Sequence, residues 1–197
     1  ILKESIETLS LQGGVMNPEL YYLYESNKIS YVCYTEEYHK PCVVQRLFLK
    51  ENMEEELEEE LEDSTSACFT NLKSSYQNKG YNVELNYQGL DVKLLPKVIM
   101  FIPNVTLSLR KGGESEFYEN FDIILNNNLY ELATISETLV EWETIYGDVR
   151  TTDYMSLYRD IKFEKKKQDD GTTIYILTNR DDESKFQFAS RSYVFPP

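Results

Sequence analysis

The chain has little histidine, cysteine and glycine, and each shortage argues against a kind of catalytic site. Its 197 residues include one histidine, three cysteines and eight glycines. Serine and cysteine hydrolases need a base beside the nucleophile, and the single candidate, His39, lies in a polar turn. No CxxC or HExxH spacing supplies a zinc ligand set, and Gly112-Gly113 is typical of a hairpin turn rather than a phosphate-binding loop. We therefore expect no catalytic residues, metal or cofactor.

Long apolar runs are also missing. No stretch of about 18 apolar residues and no signal peptide is present, so the sequence predicts no membrane-spanning segment of its own. The chain begins at Ile1 without methionine and ends at Pro197, directly after a strand-like segment. We expect it to be a piece of a longer protein, with any membrane contact made by a segment outside this sequence.

Positive charge is scarce relative to negative charge. The chain has 20 lysines and arginines against 34 aspartates and glutamates, for a formal net charge of −14. So negative a field argues against nucleic acid or an anionic membrane as a partner. Tyrosine, in contrast, is abundant at 16 residues, and tyrosine favours strands and half-exposed surfaces. A protein or other cell-surface partner is the expectation.

The most unusual stretch is the glutamate-rich run between positions 51 and 62. Apolar residues recur there at helical spacing, so the pattern predicts an amphipathic helix over 49–76 with its glutamates in water. A calcium site would need carboxylates converging from a loop with a turn glycine, and this run has neither. We interpret Glu54–Glu56 and Glu58–Glu60 as solvated helix surface. The residues predicted to be buried are Met53, Leu57, Leu61, Cys68 and Leu72.

The remaining pattern predicts an α+β fold with mostly antiparallel sheet and a second helix packed on the acidic one. That second helix starts near Asn126–Asn128, carries an apolar face from Leu129 to Trp142 and stops at Gly147. Residues 1–147 are predicted to form an α+β domain, and residues 148–197 a β-rich segment packed on the same domain. The predicted strands are Tyr21–Tyr24, Ile29–Thr35, Cys42–Phe48, a series from Tyr81 to Leu125, and three more after Ile161.

Two of the three cysteines flank one turn. Cys33 and Cys42 lie on strands that are expected to pair, and facing positions across an antiparallel pair meet disulfide geometry. The alternatives are two buried thiols in a cytosolic protein, or a bond from Cys68 to either partner. The sequence also contains one glycosylation sequon, Asn104-Val105-Thr106.

Four segments together resemble a known group of proteins. They are "LQGGVMNPELYYLYESNKISYVCY", "SACF" in the acidic helix, "GYNVELNYQGLDVKLL" and "VTLSLRKGGESEFYENFDIIL". Their order, over residues of about 5–145, resembles the membrane-anchored and largely uncharacterised surface proteins of small-genome archaea.

This resemblance implies a location and an anchor rather than an activity. It implies a transmembrane segment before the first helix and a β-sandwich module after a strand ending like Pro196-Pro197. Members of the group often carry a cysteine in the first helix that pairs with one at the position of Cys68. Here the helix "KESIETLSLQGG" has none, so Cys68 is expected to stay unpaired.

The leading hypothesis is a non-catalytic extracytoplasmic domain of an anchored surface protein, serving adhesion, envelope structure or partner binding. The alternative is a ligand-binding sensory domain or an enzyme with a site built from carboxylates and tyrosine. A deep pocket that brings two carboxylates together would favour the alternative. A flat aromatic surface without a cleft would favour the first hypothesis.

We expect Cys33 and Cys42 to be joined and Cys68 to be reduced in protein made under oxidising conditions. Closing this short loop stabilises the fold by about 2–3 kcal/mol in the chain-entropy model, and an extracellular location lets the bond persist. Intact-mass analysis with and without reductant, followed by peptide mapping, tests the pairing. Three free thiols, or a bond to Cys68, would contradict it.

Overall fold

The computed structural model describes residues 1–195 and confirms the α+β class. Pro196-Pro197, which entered the resemblance above, lie outside the described residues. The helices are α1 (Leu2–Leu11), α2 (Leu49–Asn78), α3 (Leu129–Tyr146) and α4 (Thr151–Leu157). The strands are β1 (Tyr21–Tyr24), β2 (Asn27–Tyr34), β3 (Val43–Val44), β4 (Asn82–Leu95), β5 (Val98–Lys111), β6 (Glu114–Tyr118), β7 (Ile123–Asn126), β8 (Ile161–Lys167), β9 (Thr173–Asn179) and β10 (Lys185–Arg191).

The larger sheet combines strands from both ends of the chain. Its order is β1-β2-β10-β9-β8, with β3 also paired to β2. β2 and β10 run parallel, and every other neighbouring pair in this sheet is antiparallel. Through β10, the segment 148–197 therefore pairs directly with the N-terminal part of the chain.

The smaller sheet is built on the long β4–β5 hairpin. β6 and β7 share the other side of β5, where β7 pairs with residues 98–101 and β6 with residues 107–111. Pro103 lies in the gap between them. Leu90, its partner on β4, points its own N–H away from β5, so the N atom of Pro103 also points outward, into that gap. A proline, which has no N–H, is tolerated at such an unpaired position.

A single core joins the two sheets. α1 and α3 pack on the larger sheet, α2 packs on the smaller one, and α2 also contacts α1 and α3. The cluster includes Leu9, Leu57, Phe101, Leu139 and Phe188, all at most 1% exposed. Burying each such side chain stabilises the fold by about 1.5–3 kcal/mol.

Three glutamates of the run accept hydrogen bonds from β4, which corrects the prediction that the run is only solvated helix surface. Glu54 accepts the backbone N–H of Leu94 at 2.7 Å, Glu58 that of Val92 at 2.8 Å, and Glu62 that of Leu90 at 3.1 Å. Glu54 is 5% exposed, and Glu56 and Glu58 are half-buried, whereas Glu55, Glu59 and Glu60 are exposed as predicted. We call the three hydrogen bonds that Glu54, Glu58 and Glu62 accept the carboxylate ladder.

The ladder forms because the two elements advance at matching rates. Four residues of helix rise about 6 Å, and two residues of strand rise about 6.6 Å. A glutamate at every fourth residue of α2 therefore meets the outward N–H of every second residue of β4, with the helix running antiparallel to the strand. Since β4 is paired on one side only, these N–H groups have no strand partner, and the carboxylates satisfy them.

The long helix buries a stripe that rotates along its length. Met53, Leu57 and Leu61 are buried as predicted, but each step of four residues turns the stripe by about 40°. In the second half of α2 the buried position is therefore Phe69, and Leu72 is half-buried. Cys68 lies off this rotated stripe and is exposed, so its predicted burial was wrong.

Three further expectations differ from the structure. The strand predicted over Cys42–Phe48 is reduced to Val43–Val44, and the short helix α4 occupies a region for which no helix was predicted. Trp142, placed on the apolar face of α3, is 47% exposed because the buried stripe passes through Glu143 instead. Gly147 does end α3, in the left-handed conformation with φ of 67°.

Replacing Glu54 with alanine is expected to destabilise the fold by about 1–3 kcal/mol. The change leaves the N–H of Leu94 buried without a partner, which carries the desolvation cost of that group. Glu54→Gln keeps an acceptor oxygen and should cost less. Urea unfolding measures both.

The matched control is Glu59→Ala, on the exposed face of the same helix. Its effect should stay within about 0.5 kcal/mol. Equal losses for Glu54→Ala and Glu59→Ala would show that the ladder contributes no stability.

Candidate functional site

The predicted disulfide is present and closes a loop at one end of the larger sheet. Cys33 in β2 is joined to Cys42, which lies immediately before β3, and both are buried. The loop between them also pairs with the C-terminal segment. His39 N–H donates to Val194 O and Tyr193 N–H donates to Lys40 O, both at 2.8 Å. The disulfide loop and residues 193–194 thus form one continuous surface.

A buried carboxylate fastens α3 beneath this loop. Glu143 is 2% exposed and accepts hydrogen bonds from Tyr175 Oη and, at 3.3 Å, from Ser190 Oγ. Ser192 Oγ donates to the backbone oxygen of Glu143 and accepts the N–H of Cys42, both at 3.0 Å. Burial raises the pKa of Tyr175, and the Glu143 carboxylate raises it further. This tyrosine therefore stays a neutral donor and satisfies the buried charge.

Above this network lies an open depression of about 640 Å³, whose wall includes four aromatic side chains. We call Tyr38, Tyr146, Tyr193 and Phe195 the aromatic pole. Tyr146 is 60% and Phe195 74% exposed. Neighbouring rings extend the surface, since Trp142 stacks on Tyr146 with centroids 4.9 Å apart and His39 meets Phe195 edge-on at 5.0 Å.

Charged groups surround the aromatic pole. The Arg191 guanidinium lies 6.0 Å from the ring centroid of Tyr34 and 5.9 Å from that of Tyr38. It also donates to the backbone oxygens of Asp170, at 3.1 Å, and of Thr35. These bonds hold Arg191 against the rings, at a distance where a cation and an aromatic face attract each other.

An ion pair borders the pole at the end of α3. Lys165 contacts Asp148 and donates to Val149 O at 3.1 Å, and Lys167 lies 3.4 Å from the other oxygen of Asp148. Burial lowers the pKa of Lys165 to about 8, although the nearby Glu143 carboxylate acts in the opposite direction. This pair links β8 to the segment that follows α3.

The tyrosines of the β1–β2 hairpin form a second small core instead of an open aromatic face. Tyr31 and Ile174 are buried there, and Tyr22 and Tyr24 are half-buried against them. Tyr22 Oη reaches Gln168 in the β8–β9 turn at 3.3 Å, so the hairpin folds across the outer side of the sheet. These residues stabilise the fold and are not among the rings that line the depression.

The other residues singled out from the sequence lie elsewhere. Asn104 is exposed on β5, and its Nδ2 donates to Asp91 Oδ2 at 2.8 Å. Cys68 is free and exposed on α2. Sequence reasoning identified the disulfide loop but missed Tyr146 and Phe195. The signal available in the sequence was the number of apolar side chains after Leu139, which is too large for one buried stripe.

Among residues 1–195, no group of three or more metal-ligating side chains converges. No helix in the same residues is long and apolar enough to cross a membrane. No protein-family model, curated protein or solved structure matches the chain.

The stability of the fold is expected to fall as the pH rises from 10 to about 12, partly through Tyr31. Burial raises the pKa of Tyr31 from 10 to about 12, while its hydrogen bond with Thr172 Oγ1 acts in the opposite direction. In that window the unfolded chain loses the Tyr31 proton while the folded chain keeps it, so unfolding is favoured. Tyr31→Phe should show a smaller decline, measured by urea unfolding across this range.

The control for this prediction is Tyr21→Phe, which removes an exposed phenol from the same hairpin. It should leave the alkaline decline as steep as in the unmodified protein. Parallel pH profiles for the unmodified protein and Tyr31→Phe would contradict the assignment.

Proposed function

We propose that the chain is a non-catalytic extracytoplasmic domain of an anchored surface protein, and that it binds a partner protein through the aromatic pole. The observation that carries the proposal is the group of rings around one depression, of which Tyr38, Tyr146 and Phe195 are exposed and Tyr193 is half-buried. Partner binding is therefore favoured over a purely structural role in the envelope.

The residue types at the pole support a protein partner. Tyrosine, tryptophan and arginine are the side chains most enriched among residues that dominate binding energy at protein interfaces. Here Tyr146, Trp142 and Arg191 lie around one surface, and each is held by a neighbouring ring. Large rings that are exposed in the free protein gain the most from being covered.

The pole is also organised before any partner arrives. The disulfide fixes the loop that carries Tyr38, and the Glu143 network fixes the end of α3 that carries Tyr146. A surface that needs little ordering on binding keeps more of its interaction energy as affinity. The disulfide supports an extracytoplasmic location as well, because such bonds persist in oxidising compartments.

Charge indicates the character of the partner. The net charge of −14 creates a long-range field that attracts positively charged surfaces and speeds their association. The depression itself is lined by three carboxylates against two cations, Lys167 and Arg191; the carboxylates are Asp148, Asp169 and Asp170. We propose that the partner presents a basic surface with an apolar centre.

The location and the binding surface are tested together in intact cells that carry the full-length protein. A photo-crosslinking amino acid is placed at position 146, and at position 117 as a control, because Phe117 is exposed on β6 of the smaller sheet. Labelling with a membrane-impermeant reagent checks exposure at the cell surface. Cytosolic protection from the label, or equal crosslinking from both positions, would overturn the proposal.

Once the partner is captured from position 146, single alanine substitutions measure the contribution of the pole. Tyr146→Ala and Phe195→Ala are each expected to weaken binding by about tenfold or more, as for residues that dominate an interface. Phe117→Ala should bind as the unmodified domain does. Titration calorimetry with the purified partner makes the comparison, and equal affinities for all three variants would contradict the assignment.

A further inference from the structure

A second depression lies at the opposite end of strands β8–β10. It has a volume of about 1030 Å³ and lies between α1, the β7–α3 connection and the β9–β10 turn. We call it the basic groove, after four lining cations: Lys3, Lys162, Arg180 and Lys185. The far ends of the same strands line the depression at the aromatic pole, so the two surfaces are separated by about the length of a seven-residue strand, some 20 Å.

The groove has more positive than negative side chains, although the molecule as a whole is acidic. Four cations line it against the three carboxylates Glu7, Asp182 and Glu183, in a chain whose net charge is −14. Within residues 1–195, the side chains of Lys3, Arg180 and Lys185 form no ion pair. Where carboxylates are in excess, cations left unpaired around a cavity remain available to an anion.

The Asp182 carboxylate, in the β9–β10 turn at the acidic wall of the groove, already accepts hydrogen bonds from the protein. Asp182 accepts hydrogen bonds from the backbone N–H of Ser184, at 3.0 Å, and from Asn128 Nδ2, at 2.9 Å. Burial by itself would raise the pKa of Asp182, but the hydrogen bonds from Ser184 and Asn128 lower it. This carboxylate is therefore held by neutral donors and forms no ion pair with the lysines or Arg180.

The strand register places a hydroxyl between two lysines. Thr178 of β9 is paired with Lys162 of β8 on one side and with Lys185 of β10 on the other. Residues paired in this way project from the same face of a sheet, so the three side chains form one row. Lys162 Nζ also lies 2.8 Å from Glu164 Oε2, within its own strand.

Thr178 supplies an observation independent of charge. Its Oγ1 is buried and makes no hydrogen bond to any described residue, although Thr178 lines the groove. Buried hydroxyls in folded proteins nearly always have a partner. An oxygen atom of an anion placed between Lys162 and Lys185 would accept the Thr178 proton and contact both ammonium groups.

We infer that the basic groove binds a small oxyanion, a phosphate or carboxylate group, at the Lys162–Thr178–Lys185 row, with Arg180 completing the contacts. Guanidinium and ammonium groups form their strongest hydrogen bonds with such anions. A nucleic acid is excluded by the acidity of the rest of the surface. This inference does not depend on the aromatic pole.

Titration calorimetry on the unmodified protein with inorganic phosphate and with citrate, at ionic strength held constant with sodium chloride, tests the inference. Binding of phosphate alone assigns a phosphate-bearing ligand, and binding of citrate alone assigns a polycarboxylate. Binding of both assigns a general oxyanion site. Binding of neither would overturn the inference.

Variants locate the site. Lys185→Gln and Arg180→Gln should each weaken binding about tenfold, which is the loss expected for one hydrogen bond to a charged group. Lys185→Arg should retain binding, and Thr178→Val should weaken it without changing any charge. Lys73→Gln, which removes one positive charge from α2 outside the groove, should bind as the unmodified protein does.

Urea unfolding in buffer free of both anions shows that each variant is folded before its affinity is compared. If Lys73→Gln weakens binding as much as Lys185→Gln, the anions respond to the total charge, and the assigned site is wrong. The site is also wrong if Thr178→Val, folded, binds as tightly as the unmodified protein.

Discussion

The hydrogen bond from a backbone N–H to a glutamate on a neighbouring helix is the interaction on which this fold depends. It joins α2 to β4 in the carboxylate ladder, and the same chemistry recurs where Glu56 accepts from Met16, Glu131 from Lys97 and Glu137 from Leu49. Each bond satisfies a backbone N–H that has no partner within a sheet or helix. Such an N–H costs stability when it is left unpaired. Because α2 contacts α1, α3 and the smaller sheet, fixing its position fixes the meeting of the two sheets.

The parts of the fold that could be predicted are those specified by neighbours in sequence. The apolar spacing in α2, the stop at Gly147 and the two cysteines around one turn are local signals, and the structure has all three. Glu54 was misassigned because a glutamate that accepts a strand N–H has the same sequence spacing as one in water. Cys68 was misassigned because the buried stripe of α2 rotates along the helix, and Trp142 because the buried stripe of α3 passes through Glu143.

The candidate surfaces were harder to predict for a related reason. The aromatic pole brings together Tyr38, Tyr146 and Phe195, and the basic groove brings together Lys3, Lys162 and Lys185. Neither group has a characteristic spacing, because its members meet only after β2 and β10 pair in parallel. The pairing of β8, β9 and β10 then sets both surfaces at opposite ends of one rigid element, so that each can be altered without disturbing the other.

Because β4 is paired on one side only, its free edge has a further consequence for aggregation. A long strand with free amides is a template on which a strand of another molecule can add, and chains joined in this way aggregate. Here the chain supplies its own cover, since the glutamates of α2 occupy the amides that an intruding strand would need. β8, at the edge of the other sheet, carries Lys162, Lys165, Lys166 and Lys167, whose charges repel a similar neighbour. The free edge of β4 is thus covered by its own helix, and the free edge of β8 resists pairing with a second copy of itself.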